Sequence, residues 1–158
     1  MPATFVFSEA NYVDETITDD IANLNFGSID DPEITPADNP IPKGQNSFQK
    51  YLKAYFSDTF AEISNMKFWM SIGVLLTGEA IVGINNVAFA EPSRTKDGGD
   101  GAIPITEGTA WAIQAEDGSS TIIAEGYTKY IRVQETTTIL TPAGAANQKT
   151  FTFQYDEI

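Results

Sequence analysis

The sequence predicts an all-β protein: an antiparallel β-sandwich or barrel of immunoglobulin-like or jelly-roll-like kind, with an extended acidic N-terminal arm. Three observations carry this. From Ser47 onward, short alternating runs rich in Phe, Tyr, Ile, Val and Thr are separated by Gly, Pro, Asn and Asp turn signals. Only Phe48–Phe60 also fits a helical period. The first 42 residues hold nine acidic side chains, no basic one, and the cluster Pro32, Pro36, Pro40 and Pro42. The expected division is an arm over residues 1–46 and a β-sandwich domain over 47–158.

Each element follows from local pattern. Ala3–Phe7 reads as a short strand with Phe5 and Phe7 on one face. Asn11–Ile21, rich in Thr and Asp, fits a short strand or an irregular segment. Leu24 and Phe26 alternate before the turn signal Asp30-Asp31-Pro32. Glu33–Gly44 reads as extended, because each proline fixes φ and pushes its predecessor toward β or polyproline geometry. Phe48–Phe60 fits either period. Strand is preferred, with Phe48, Leu52 and Phe56 on one face and Tyr51 and Tyr55 on the other, because aromatics favour strands.

Ile63–Ile72 is a half-buried strand, with Met66, Phe68, Met70 and Ile72 alternating against Lys67, Trp69 and Ser71. Glu79–Phe89 is the next strand, bent near Gly83 or Asn85-Asn86. Residues 91–101 form a polar, Gly-rich loop. Ile103–Ile105 and Trp111–Ala115 are short strands, and Asp117-Gly118 marks a turn. Tyr127–Gln134 and Thr136–Leu140 are strand-like, Pro142–Asn147 is a turn, and Thr150–Tyr155 places Phe151, Phe153 and Tyr155 on one face. This gives about seven to nine strands.

At 158 residues and 42% hydrophobic content, the chain suits one well-buried domain. The net charge of −13 is concentrated: residues 1–42 carry −9, and the remaining 13 acids and 9 bases carry −4. Such a chain is repelled by phosphate backbones and by anionic bilayers, so neither nucleic acid nor membrane is an expected partner. Without Cys or His, imidazole-dependent triads, thiolate chemistry and His/Cys zinc sites are excluded. Met1–Ala10 has no basic region or long apolar run, so synthesis in the cytoplasm is expected.

Four groups of residues are candidates for chemistry. Asp97-Gly98-Gly99-Asp100-Gly101 places two carboxylates in a loop, but lacks the acid series of a calcium-binding loop, so a hairpin tip is the better reading. Asp19-Asp20, Asp30-Asp31 and Glu116-Asp117 are adjacent pairs, whose side chains diverge on an extended chain. Trp69 and Trp111 would serve a sugar-binding platform if exposed, although aromatics at strand spacing are usually core. The arm carries regular apolar residues that a purely solvating tail lacks. Phe5, Phe7, Tyr12, Leu24 and Phe26 are the expected partner-binding anchors. Lys50, Lys53, Arg94, Lys96 and Arg132 are the cations expected to meet an acidic partner. No catalytic residue, metal or cofactor is expected.

Three segments carry a resemblance: Asn23–Lys43 (NLNFGSIDDPEITPADNPIPK) followed by Ser47–Phe56, then Ile63–Met70 (ISNMKFWM), and the ending Phe151–Ile158 (FTFQYDEI). As a layout, the chain resembles small structural proteins of tailed-bacteriophage virions. The resemblance implies a non-enzymatic virion protein with a β-sandwich or barrel body. It would be a capsid decoration or cement protein, docking through its arm on the major capsid protein and on neighbouring copies. A neck, tail or fibre component, or a carbohydrate-binding module, is the alternative. An enzyme acting through two carboxylates would need them about 5–10 Å apart in a cleft.

Overall fold

The computed structural model describes residues 2–142 and 148–158; most of the turn expected over Pro142–Asn147 therefore lies outside the described residues. Ten strands are present among them: β1 (Thr4–Asn11), β2 (Thr16–Thr18), β3 (Lys50–Ser57), β4 (Ile63–Ile72), β5 (Ala80–Val87), β6 (Gly101–Ala102), β7 (Trp111–Ala112), β8 (Gly126–Tyr127), β9 (Tyr130–Thr136) and β10 (Thr150–Glu157). One 3-10 turn, Glu107–Thr109, is the only helical element among the described residues.

The strands form two antiparallel sheets packed face to face, a β-sandwich. The larger runs β2-β1-β3-β9-β5-β6, with β8 also on β3; the smaller runs β10-β4-β7. Aromatic side chains join them, with Phe7 over Phe68 at 6.1 Å, Phe5 over Phe153 at 5.5 Å, and Phe56 edge-on to Tyr155 at 4.8 Å. Leu52, Ala54, Phe56, Ile63, Met66, Phe68, Met70, Ile131 and Val133 fill the space between. The alternation along β3 holds: Leu52 and Phe56 enter this core, while Tyr51 turns to a second cluster with Ala10, Tyr130, Val87 and Phe89 on the outer face.

The segment 1–46 divides in two. Thr4–Asn11 pairs with β3 from Thr4↔Ser57 to Ala10↔Tyr51 and turns back to β2 through Tyr12 and Glu15, both at positive φ. Residues 19–46 fold back without regular strand. The Ile21 N–H donates to the Phe7 carbonyl, Ser28 N–H to Asn39, and Phe48 N–H to Gly27. Gly27 is required here, since a Cβ would collide with Ile34 and the Asn39 carbonyl.

Several local expectations change. Glu33–Gly44 is a series of turns rather than an extended run. The amides of Asp38 and Asn39 donate to the Thr35 carbonyl around Pro36, and Gln45 donates to Pro42. Proline favours the second position of such turns as readily as extended geometry, so composition alone does not separate the two. Ile103–Ile105 is not a strand; the pairing falls on Gly101–Ala102. β9 ends at Thr136, and Thr138–Thr141 forms a turn closed by the Thr141 amide on the Thr138 carbonyl. The expected bend in β5 is a register shift between Ile84 and Val87, with Asn86 at positive φ.

Candidate functional site

Three clusters of charged side chains continue the strand pattern, and each occupies a distinct part of the surface or core. The first fixes the N-terminal segment to the body. Glu9 follows Phe5 and Phe7 on the inward row of β1, and Lys50 precedes Leu52 on that of β3; both side chains are fully buried. Lys50 Nζ donates to Glu9 Oε1 at 2.7 Å and to the Asp31 carbonyl at 2.9 Å. Asn11 Nδ2 donates to Glu9 Oε1 and to Asp30 Oδ1, each at 2.7 Å, and the Tyr12 amide donates to Asp30 Oδ2 at 2.6 Å. Burial pushes the Glu9 carboxyl above its usual range, and the Lys50 ammonium opposes that shift. Two further bonds hold the hairpin: Tyr130 hydroxyl to Glu15 at 2.6 Å and Ser8 hydroxyl to Asp19 at 2.7 Å.

Above this network the hairpin presents Tyr12 at 42% and Val13 at 73% exposure, with Ile17 and Ile29 also exposed. Asp14, Glu15, Asp20 and Glu33 are exposed within the same segments. Of the five expected anchors, Tyr12 is exposed, and Phe5, Phe7, Leu24 and Phe26 are half-buried. Phe5, Phe7, Leu24 and Phe26 pack against the main core, with Phe26 edge-on to Phe151 at 6.2 Å. Val13, Ile17 and Ile29 join Tyr12 as exposed apolar residues of this segment.

The second cluster lies in a cleft of about 960 Å³, walled by Phe7, Leu24, Phe26, Leu76 and Phe151. Glu79, Glu135 and Lys149 line it. Lys149 pairs with Glu79, whose Oε2 accepts the Leu76 amide at 2.7 Å. Burial pushes the Glu135 carboxyl up to about 7; the attraction of Lys149 opposes the shift and the neighbouring Glu79 carboxylate adds to it.

The third cluster ties the Gly-rich loop to the outer face of the larger sheet. Arg132 pairs with Asp97, and with Asp100 at 2.7 Å, while its other nitrogen reaches the Tyr51 hydroxyl at 3.3 Å. The guanidinium occupies the charge-balancing role considered for calcium, and among the described residues no three carboxylates converge on a cation site.

Of the expected cations, Lys96 is exposed, and the other four have partners within the chain. Lys50 is spent on Glu9 and Arg132 on the loop acids. Lys53 is buried, with its ammonium 4.1 Å from the Tyr127 ring centre and 4.8 Å from that of Tyr130. Arg94 bonds the Asn46 carbonyl at 2.9 Å and Gln45 at 2.6 Å. Trp69 is only 8% exposed and offers no open ring face, and Trp111 is half-buried.

No family model matches the chain, and neither the curated proteins nor the solved structures give a match. Among the described residues no helix is long and apolar enough to cross a membrane.

Proposed function

We propose that the protein is a non-enzymatic structural component of a tailed-phage virion, a capsid decoration or cement protein that docks through its N-terminal segment on the major capsid protein. The observation that carries the docking role is the acidic hairpin, which displays Tyr12, Val13, Ile17 and Ile29 while Glu9, Lys50, Asn11 and Asp30 anchor it from below. A surface ordered before binding avoids most of the entropy cost that a loose tail bears on association. The layout of Asn23–Lys43, Ile63–Met70 and Phe151–Ile158 supports the virion assignment through resemblance to such proteins.

Contacts repeated over a symmetric shell make a weak single interface sufficient. The test is the composition of purified particles of the phage that encodes the chain, followed by rebinding of added protein to particles stripped of it. The protein should be present in many copies, and Val13→Asp should abolish rebinding while leaving the melting temperature unchanged. Absence from the particle would overturn the virion assignment. Rebinding unchanged by Val13→Asp would overturn the docking role of the hairpin.

A further inference from the structure

Glu9, Asn11 and Lys50 form a fully buried trio that brings an amine against a carboxamide. The ladder of β1 on β3 ends at Ala10↔Tyr51, so the next positions across the strands are Asn11 and Lys50. Side chains opposed in this way on an antiparallel pair have Cβ atoms about 4.5–5.5 Å apart. Glu9 lies two residues before Asn11 on the same row of β1. Its Oε1 accepts from Lys50 Nζ and from Asn11 Nδ2, each at 2.7 Å. One carboxylate oxygen thus gathers a nucleophilic group and an acyl group in a site closed to solvent.

The surroundings suit a reaction between the two. Transfer of one proton from Lys50 to Glu9 removes two buried charges at once and leaves a neutral amine, the nucleophilic form. Burial already holds the Glu9 carboxyl above its usual range, which eases that transfer. Glu9 Oε2 and Asn11 Oδ1 are both buried without a hydrogen-bond partner. Unpaired buried oxygens are costly, and a protonated carboxyl that bonds the amide oxygen relieves the cost while polarising the amide. Asp30 Oδ1 accepts from Asn11 Nδ2 at 2.7 Å and so already holds the nitrogen that would leave. The Asp31 carbonyl fixes Lys50 Nζ at 2.9 Å. An amide inert toward a free amine reacts when the two are held in contact out of water.

We infer that Lys50 and Asn11 become joined by an intramolecular isopeptide bond, with Glu9 as the catalytic base. Lys50 Nζ gives a proton to Glu9 and attacks Asn11 Cγ. The Nζ–Cγ bond forms and the Cγ–Nδ2 bond breaks. One hydrogen remains on the new amide, the rest leave with Nδ2 as an ammonium ion, and the Glu9 carboxylate is regenerated. No oxidant, metal or cofactor takes part. The ion pair is the reactant, so energies assigned to it belong to the chain before the bond forms. The product fastens β1 to β3 covalently at the base of the acidic hairpin, whatever partner the hairpin meets.

The intact mass of the full chain, kept folded at neutral pH and then denatured, reads the reaction directly. The expected mass is lower than that of the sequence by one ammonia. Trypsin does not cut after an acylated lysine, so it should release residues 1–43 joined to 44–53, with a second N-terminus at Gly44. Asn11→Ala and Glu9→Gln should keep their full masses, with circular dichroism showing the sandwich intact. The native chain decides the existence of the bond without any variant: a full mass, or tryptic peptides 1–43 and 44–50 found separate, would overturn the inference. Loss of water in place of ammonia would put the bond on a carboxylate and overturn it too. So would an ammonia loss that persists in Lys50→Arg, because Asn11 would then have cyclised on its own backbone. Bond formation at the native rate in Glu9→Gln would overturn the role of Glu9 as base.

Discussion

The hairpin at Tyr12–Glu15 and the turn at Ile139–Leu140 both expose apolar side chains, in opposite electrostatic settings. The first rises among Asp14, Glu15 and Asp20 and is anchored by a buried Lys50–Glu9 pair. The second belongs to residues 136–142, which carry no charge. The difference also lies beneath each surface, because a buried ion pair braces the hairpin while the Glu79–Glu135–Lys149 group near the other end contains a carboxyl raised to about 7.

The largest effect should come from breaking the brace. Lys50→Met leaves Glu9 buried without its cation and should cost about 3–5 kcal/mol in chemical denaturation. Adding Glu9→Gln should recover more than half of that loss, since removal of both charges leaves no uncompensated ion. A loss below about 1 kcal/mol for Lys50→Met would mean that the hairpin is not held in this way.

Next in size is the pH response of the carboxyl pair. Glu135 rises from an ordinary 4.5 to about 7 on folding, so the folded state holds more protons between those values. That contribution is fully present below about 4.5, falls as pH rises, and is gone above about 7. Glu9 shifts in the same direction through burial. Glu135→Gln should flatten the decline between pH 5 and 8 by on the order of 1–2 kcal/mol. An unchanged slope would remove Glu135 from the account.

The fold was legible at the level of rows. β3 and β4 and the inward faces of Leu52, Phe56, Phe68 and Phe153 followed from alternation, because a residue shift would reverse every side chain. The buried charges sit on the same inward rows. Glu9 continues Phe5 and Phe7, Lys50 begins Leu52 and Ala54, Glu135 continues Ile131 and Val133, and Lys149 begins Phe151 and Phe153. A charge on the inward row of a strand must find a counter-charge or lose its own. What no pattern supplied was the pairing of those charges, since Glu9–Lys50 and Glu79–Lys149 join residues far apart in the chain. The turns around Pro36 and Pro42 were illegible for a simpler reason: proline's fixed φ serves turn and extended chain equally.

The smallest effects should be on the stability of the exposed positions themselves. Tyr12→Ala and Val13→Asp should each change unfolding free energy by no more than about 0.5 kcal/mol, because neither supports the core. A loss above about 1.5 kcal/mol would show that the hairpin tip is structural and would weaken its role as a docking surface.

The central claim is that the N-terminal segment belongs to the sandwich and displays its outer residues from a fixed base. Amide hydrogen exchange of the isolated protein tests it most directly. Phe5–Ala10 should be protected to within about tenfold of Tyr51–Phe56, because the two strands share one ladder. Exchange of Phe5–Ala10 at the rate of an unstructured chain, with Tyr51–Phe56 still protected, would contradict the account.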